Sequence, residues 1–258
     1  MASRVLITGA SGLIGTHSVA ACREAGLDVV ALDHRRTDLL DTGQDRAALE
    51  AARPETVVHL AWSASGAPGY RDSEDNTRWL EASLALHDAC LQQGVRFVGV
   101  GTVVDDGAPV DRYSWSKVEL RRRLSGPVEA GLVGWLRPHY VFDPERGRPA
   151  VVREAAAALA ESRPAQLSDP ASMHDFVHAR DVGTAVATVV RHDLTGVVDV
   201  GSGRCRSVAE LVERIGVEWR QVPRQGPPVQ HDEHAADIRR LGGLGWAPVA
   251  TEEFFDHG

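Results

Sequence analysis

The chain alternates short apolar runs with longer stretches of helical spacing. Val5-Leu6-Ile7 reads as a strand, and Thr16 to Ala25 as the helix that follows it. Asp28-Val29-Val30-Ala31-Leu32 reads as a second buried strand ending at Asp33. A helical stretch around Asp45 to Ala52 leads into Pro54-Glu55-Thr56-Val57-Val58-His59-Leu60-Ala61. That third run is continuous in apolar residues, as a parallel strand buried on both faces should be. Ser63 to Tyr70 holds Ser, Gly and Pro and reads as a loop. Ser73 to Gln93 reads as a long helix, and Val95 to Val100 as a fourth strand. This succession predicts an α/β fold built on a doubly wound parallel sheet.

Between the first strand and the first helix lies Thr8-Gly9-Ala10-Ser11-Gly12-Leu13-Ile14-Gly15. Its glycines are spaced as in dinucleotide-binding turns. The first allows a tight strand-to-helix turn, the second lets backbone approach a pyrophosphate, and the third lets the helix pack on the sheet. The helix N-terminus then faces the phosphates. The strand before and the helix after supply the context this motif requires. An acid ending the second strand accepts hydrogen bonds from an adenosine ribose and repels a 2′-phosphate. Asp33 therefore favours NAD over NADP, while Arg35 and Arg36 stand ready to reach a 2′-phosphate. His59, inside a buried strand, reads as a satisfied core histidine.

Gly101-Thr102 ends the fourth strand, where open α/β sheets bind their ligands. Tyr113-Ser114-Trp115-Ser116-Lys117 follows after a short loop. Tyr113 and Lys117, four apart, share one helix face. A lysine beside a phenol favours the phenolate and lowers its pKa. A tyrosine so tuned can exchange a proton with a hydroxyl or carbonyl oxygen.

Composition narrows the setting. The 258 residues suit one large α/β domain, alone or with a small appended lobe. A net charge of −8 argues against nucleic acid as a partner. Arg121-Arg122-Arg123 reads as the coat of an exposed helix face. The three cysteines, Cys22, Cys90 and Cys205, make no Cys-x-x-Cys pair, so a reduced cytoplasmic setting without disulfides or zinc is expected. No apolar run reaches the ~18 residues of a membrane span, and no signal peptide is visible.

Taken together, these residues resemble the extended short-chain dehydrogenase/reductase family, in its branch of NAD-dependent epimerases and dehydratases acting on nucleotide sugars. The resemblance runs from residue 4 to about Pro248. It implies NAD, or alternatively NADP, as cofactor, a small-molecule nucleotide sugar as substrate, no metal, no nucleic acid or membrane partner, and a homodimer as the candidate assembly. It implies a cofactor site of Gly9, Ser11, Gly12, Leu13, Ile14 and Gly15, then Asp33, His34 and Arg35, then Asp38 and Leu39. Leu60, Ala61 and Trp62 fall under the nicotinamide ribose, and Leu136-Arg137-Pro138 matches a family strand end, adding Pro138. Thr102 falls on the catalytic Ser or Thr, Tyr113 and Lys117 on the catalytic Tyr and Lys. Ser63, Thr102, Val103, His139 and Arg204 are the implied substrate contacts, with Arg204 and Arg206 able to grip a diphosphate or merely to line a solvated turn. The stretches His174 to Val182, Val198 to Gly203 and Leu244 to Pro248 also match.

The departures are informative. Gly101-Thr102 replaces the family's Ser-Ser, and Asp106 stands where a tyrosine is common. The family's helical Asn falls on Trp79, with Asn76 one turn earlier. Val103 and Val104 follow Thr102 where dehydratases carry an Asp-Glu pair, and Asp105 and Asp106 come too late in register. The sheet domain is expected over 1–141 with 179–203, and a small substrate lobe over 142–178 with 204–258. His139, His174, His178, His231 and His234 read mostly as surface or loop residues. Within that resemblance, Val103-Val104 and the short substrate lobe point to reduction of a nucleotide-linked 4-keto-6-deoxy sugar, an epimerase with tightly held NAD being the alternative within the family. A cofactor-binding sensor that lost the chemistry is a third reading, disfavoured by an intact Thr102, Tyr113 and Lys117.

Overall fold

The computed structural model describes residues 2–32, 37–63, 69–103, 105, 107–224 and 234–256. In chain order its elements begin with β1 (Arg4–Thr8), α1 (Leu13–Glu24), β2 (Asp28–Ala31), α2 (Thr42–Ala52), β3 (Thr56–His59) and α3 (Asp75–Gln92). There follow β4 (Arg96–Val100), α4 (Arg112–Arg123), α5 (Ser125–Glu129), β5 (Val133–Pro138), β6 (Tyr140–Phe142) and α6 (Ala150–Ala160). The remainder comprises β7 (Ala165–Leu167), β8 (Met173–His174), β9 (Phe176–His178), α7 (Ala179–Arg191), β10 (Gly196–Val200) and β11 (Arg206–Ser207). The chain closes through α8 (Val208–Arg214), β12 (Trp219–Gln221), α9 (Arg239–Gly242) and α10 (Val249–Asp256). Among the described residues no helix is long and apolar enough to cross a membrane.

Two compact units share this chain: residues 1–137 with 183–198, and residues 138–182 with 199–258. The junctions fall at 137, 182 and 198 rather than at the expected 141, 178 and 203. The first unit is organised by a doubly wound sheet of order β2-β1-β3-β4-β5-β10, parallel from β2 across to β5. After β2 the chain crosses back over β1 to lay down β3. The sheet therefore has its topological switch between β1 and β3, where such sheets open a crevice at their carboxyl ends.

The apolar runs explain the order of burial. Val5, Leu6 and Ile7 of β1 and Val57 and Val58 of β3 are wholly buried, as central strands covered on both faces must be. β2 is the correction: it is the sheet's outer strand, and its side chains are half-buried or exposed. Its apolar sequence states strand character but not its rank in the sheet. α1 also begins at Leu13, three residues before the expected Thr16, because Gly12 in extended conformation ends the loop and serves as N-cap. Leu6, Leu49, Leu80, Leu86, Phe97 and Trp135 share one core cluster.

The second unit pairs β6 with β9 and β7 with β12 in parallel, and β8 with β11 antiparallel. One of its cores holds Phe142, Val152, Phe176, Leu211 and Phe255. Another holds Ala155, Ala158, Ala165, Leu167, Val212 and Val217. Two of its histidines correct the expected surface reading, since His174 and His178 are both buried. His174 lies tilted against Tyr140 with ring centroids 3.8 Å apart and hydrogen-bonds Ser172 at 2.7 Å. The His178 ring meets Phe142 edge-on at 5.2 Å and accepts the Arg180 amide at 3.1 Å. A ring with both an apolar body and a satisfied nitrogen packs inside a small core without penalty. His139 is half-buried and His234 exposed, and His231 lies outside the described residues.

Candidate active site

The glycine turn has the shape its spacing implies. Gly9 adopts φ +66°, and a Cβ there would lie 2.7 Å from the Ala61 amide nitrogen. The turn thus presses β1 against the backbone of Leu60 and Ala61, beyond the end of β3. A Cβ on Gly15 would come within 2.0 Å of the Gly9 carbonyl oxygen, so α1 packs directly on the turn. No side chain caps α1 at Gly12. The amides of its first turn have no partner within the helix and face outward with the positive end of the helix dipole. A bare, glycine-lined cradle with free donors fits a dinucleotide pyrophosphate.

Under this turn runs a buried polar chain. The Ala61 amide donates to Thr8 Oγ1 at 3.2 Å, and Thr8 Oγ1 meets His59 Nδ1 at 2.8 Å. His59 Nε2 meets Ser83 Oγ at 2.9 Å, and that hydroxyl donates to the Trp79 carbonyl at 2.7 Å. The direction of donation assigns Nε2–H to the imidazole and leaves Nδ1 as acceptor. Burial, reinforced by Lys117, depresses the His59 pKa to about 3. The histidine is a neutral structural bridge between β1, β3 and α3, as its place in a buried strand suggested.

Tyr113 and Lys117 stand in the first turns of α4. The helix starts there because Asp111 and Ser114 form a capping box, the Ser114 amide donating to Asp111 Oδ1 at 2.7 Å. The Tyr113 amide donates to the Arg71 carbonyl at 2.7 Å, and Arg71 forms a tight ion pair with Asp111. The Arg71 guanidinium lies 5.2 Å from the centre of the Tyr113 ring. Tyr70 and Trp62 meet that ring edge-on at 5.8 and 6.3 Å. Lys117 Nζ donates to the Val100 carbonyl at 3.1 Å and sits 3.8 Å from the centre of the Trp62 ring.

This arrangement corrects the expected tuning of the phenol. Burial, reinforced by Tyr70, pushes the Tyr113 pKa upward, and the cation that opposes this is Arg71 rather than Lys117. Burial also lowers Lys117 to about 7, against the pull of Asp105. Arg71 escaped the sequence reading because nothing local to Gly69-Tyr70-Arg71 says which ring it will cover.

Asn76 and Trp79, the two candidates for the family's helical asparagine, both pack against Trp62. Asn76 is buried, accepts from Trp62 Nε1 at 2.9 Å and donates to the Tyr70 carbonyl at 2.7 Å. Its amide is consumed in holding Trp62 and the loop. Trp79 stacks on Trp62 at 6.4 Å. Thr102 is held from below: its amide donates to Asp105 Oδ2 at 3.1 Å, and Trp135 Nε1 donates to the same oxygen at 2.8 Å. Asp105, too late in register to act at Thr102's flank, folds back beneath the turn and is buried.

Of the remaining expected site residues, Asp33, His34 and Arg35, together with Arg36, lie outside the described residues, as do Val104 and Asp106. Asp38 accepts the Leu40 amide at 3.0 Å, and Leu39 is buried. Ser11 and Ser63 are exposed, and Leu13, Ile14, Leu60 and Val103 are half-buried. The first unit brings Gly9, Gly12, Gly15, Leu60 and Ala61 into one turn, and joins Trp62, Tyr113 and Lys117 in a second cluster. Pro138, His139 and Arg204 belong to the second unit. There the two arginines part company. Arg206 is buried 4.2 Å over the Phe255 ring and ion-paired to Glu252 at 3.2 Å, a structural brace. Arg204 is largely exposed and only loosely paired to Glu252, at 3.6 Å. Among the described residues no cluster of three His, Cys, Asp or Glu could hold a metal ion.

Residues 5–124 match the model of the NAD dependent epimerase/dehydratase family. A UDP-glucose 4-epimerase of Azospirillum brasilense is 27% identical over 95% of this chain and 87% of its own. A dTDP-4-keto-6-deoxy-D-glucose reductase of Streptomyces niveus is 31% identical over 46% of this chain and 42% of its own. The crystal structure of the Thermus thermophilus UDP-glucose 4-epimerase with NAD superposes with a TM-score of 0.78 at 26% identity, covering 95% of this chain and 94% of the other. NAD is the cofactor of such proteins, and the glycine cradle accommodates it. The chain is therefore an enzyme of the short-chain dehydrogenase/reductase type, and its residues 5–124 match the NAD dependent epimerase/dehydratase family.

Proposed function

We propose that the protein reduces the keto group of a nucleotide-linked 4-keto-6-deoxy sugar. When bound, the reduced nicotinamide supplies the hydride. Tyr113 supplies the proton: its burial holds the phenol in the protonated form, which reduction consumes at the carbonyl oxygen as that oxygen gains negative charge. The observation that carries the reading is geometric: Tyr113, Trp62 and Lys117 meet in one cluster, with the lysine held on the strand end that leads to Thr102, an arrangement that supplies the proton donor that reduction requires. Thr102 orients the substrate oxygen. Lys117, once drawn from the Val100 carbonyl to a ribose, adds charge beside the phenol. Ser63 and Val103 border the substrate on the first unit. Val103 can neither donate nor accept a proton, so elimination of water lacks its acid/base pair. The Streptomyces niveus relative supports a keto-sugar substrate, and the epimerase relatives keep inversion of a nucleotide hexose as the second reading.

The test is incubation of a nucleotide-linked 4-keto-6-deoxy sugar with NADH or NADPH, following absorbance and product configuration. Oxidation of the reduced cofactor in step with ketone loss is expected. A ketone left untouched, with a nucleotide hexose inverted on catalytic NAD alone, makes the protein an epimerase. Tyr113→Phe is expected to keep cofactor affinity and to lose at least ~100-fold in rate, the usual size of acid/base catalysis. Unchanged turnover in that variant removes Tyr113 from the mechanism.

A further inference from the structure

Asp105 is a wholly enclosed carboxylate, 2% exposed, in a place where the proposed reaction has no use for a second acid. A buried carboxylate is costly without paired donors or a counter-charge. Its donors are the Thr102 amide and the Trp135 indole, both on Oδ2. Its own amide donates to the Thr102 carbonyl at 3.0 Å, closing the turn. Two residues before Thr102, the Val100 carbonyl holds the Lys117 ammonium. Carboxylate and ammonium thus grip neighbouring backbone groups of one strand end. The room for this is made by glycine: a Cβ on Gly101 would fall 1.9 Å from Asp105 Oδ2, and one on Gly99 2.7 Å from the Trp135 ring.

We propose that Asp105 is a positioning residue for the site, fixing the Thr102 turn through its backbone amide and supplying the counter-charge of the buried Lys117 ammonium. The inference rests on the reading of Thr102 and Lys117 as reaction residues, but its physical content does not depend on which reaction they serve. Lys117 sits against Trp62 on one side and the Val100 carbonyl on another. Among the described residues the titratable groups around it are His59 from β3, Asp105 from the turn and Tyr113 from its own helix, with Tyr70, Arg71 and Asp111 acting on Tyr113 in turn. His59 is neutral and Tyr113 protonated at neutral pH, so among the described residues the anion that bears directly on the ammonium is Asp105. Its attraction opposes the burial that depresses the lysine.

The chain offers a direct readout, because Lys117 is its single lysine. Protein grown on lysine carrying 13C at Cε gives one side-chain resonance, and its shift against pH reports the Lys117 midpoint without cofactor or substrate. The wild-type midpoint is expected at about 7. Asp105→Asn is expected to lower it by at least about one pH unit, a roughly tenfold change in the protonation equilibrium. Trp135→Phe, which removes a donor and keeps the carboxylate, is expected to stay within a few tenths of wild type. An unchanged midpoint in Asp105→Asn, or an equal drop in Trp135→Phe, overturns the counter-charge role. Should Asp105→Asn fail to fold, Lys117→Met decides. Without its ammonium the buried carboxylate loses its counter-charge and its ionised form is destabilised, so stability relative to wild type rises as pH falls below neutrality. Parallel stability curves over that range overturn the proposal. None of these outcomes depends on turnover, so the proposed reaction stands or falls separately.

Discussion

Gly101 shows how far a single missing side chain reaches in this protein. Its neighbours across the turn are a carboxylate oxygen at 1.9 Å and an indole nitrogen at 2.6 Å from where a Cβ would stand. A serine at this position is therefore incompatible with the Asp105–Trp135 pair. Gly101→Ala is expected to destabilise the protein by about 3 kcal/mol, the upper end for overpacking a tight site. Urea unfolding measures it, and a midpoint equal to wild type means the turn has slack that the packing does not show. The same site bears on charge. With Lys117 titrating at about 7, raising pH through neutrality discharges the ammonium on Trp62. A folded-state pKa below the unfolded value makes this group's contribution to stability less favourable as pH falls below the unfolded pKa toward the folded one. Arginine at 117 would hold its charge throughout and would not fit as a point donor on one carbonyl.

At the level of elements, two loop-to-strand joints are held by buried carboxylates. In the second unit Asp175 accepts the Ser202 amide at 2.6 Å, the Gly203 amide at 2.9 Å and the Ala236 amide at 2.9 Å, with the Ser202 hydroxyl at 2.7 Å. Asp175→Asn keeps the shape but turns an NH₂ toward donors whichever way the amide points. A loss of about 3 kcal/mol is expected, as for a charged acceptor removed from buried donors. Thermal unfolding checks it, and stability within error of wild type would show that waters replace the lost acceptor. In the first unit Gly12→Val fills the mouth of the phosphate turn, where a Cβ already lies 3.1 Å from the Gly9 carbonyl. It is expected to abolish NAD binding in a folded protein, and normal binding by fluorescence titration refutes the turn's assignment. What the sequence made legible follows this division. The glycine turn, β3 and the helix face that joins Tyr113 to Lys117 are specified by residues within a few positions of each other. The Asp105–Trp135 bond spans 30 residues and depends on β4 pairing with β5. Arg71 over Tyr113, β2 at the outer edge and His174 in a core likewise depend on which elements become neighbours. Periodicity carries no such information, so these features emerge only from the fold.

At the scale of the whole molecule, the reaction reading makes a statement about mass action. A reductase exchanges its nicotinamide at every turnover, whereas an epimerase regenerates it in place. If turnover is on the order of 10 s⁻¹, release must be at least that fast. With association on the order of 10⁶ M⁻¹s⁻¹, the dissociation constant is about 10 μM or weaker. Cofactor at about 1 mM then stands near 100 times that constant and adds about 2.7 kcal/mol of stability. Holding NAD through hours of dialysis requires release on the order of 10⁻⁴ s⁻¹, hence a constant near 10⁻¹⁰ M by the same association rate. The two readings differ by about five orders of magnitude in one equilibrium, more than the roughly two decades that typical association rates span. The protein is expected to leave dialysis free of nicotinamide, to melt at a lower temperature than with added cofactor, and to respond more to NAD than to NADP at equal concentration. The last expectation comes from Asp33, whose charge opposes a 2′-phosphate, set against Arg35 and Arg36. Mass spectrometry of the dialysed protein and melting curves over a cofactor series measure all three. Stoichiometric NAD surviving dialysis, with a melting temperature insensitive to added cofactor, rules out exchange at each turnover and gives the site to the epimerase. A larger shift with NADP means that an arginine after Asp33 has taken the 2′-phosphate, and it leaves the reductase reading intact.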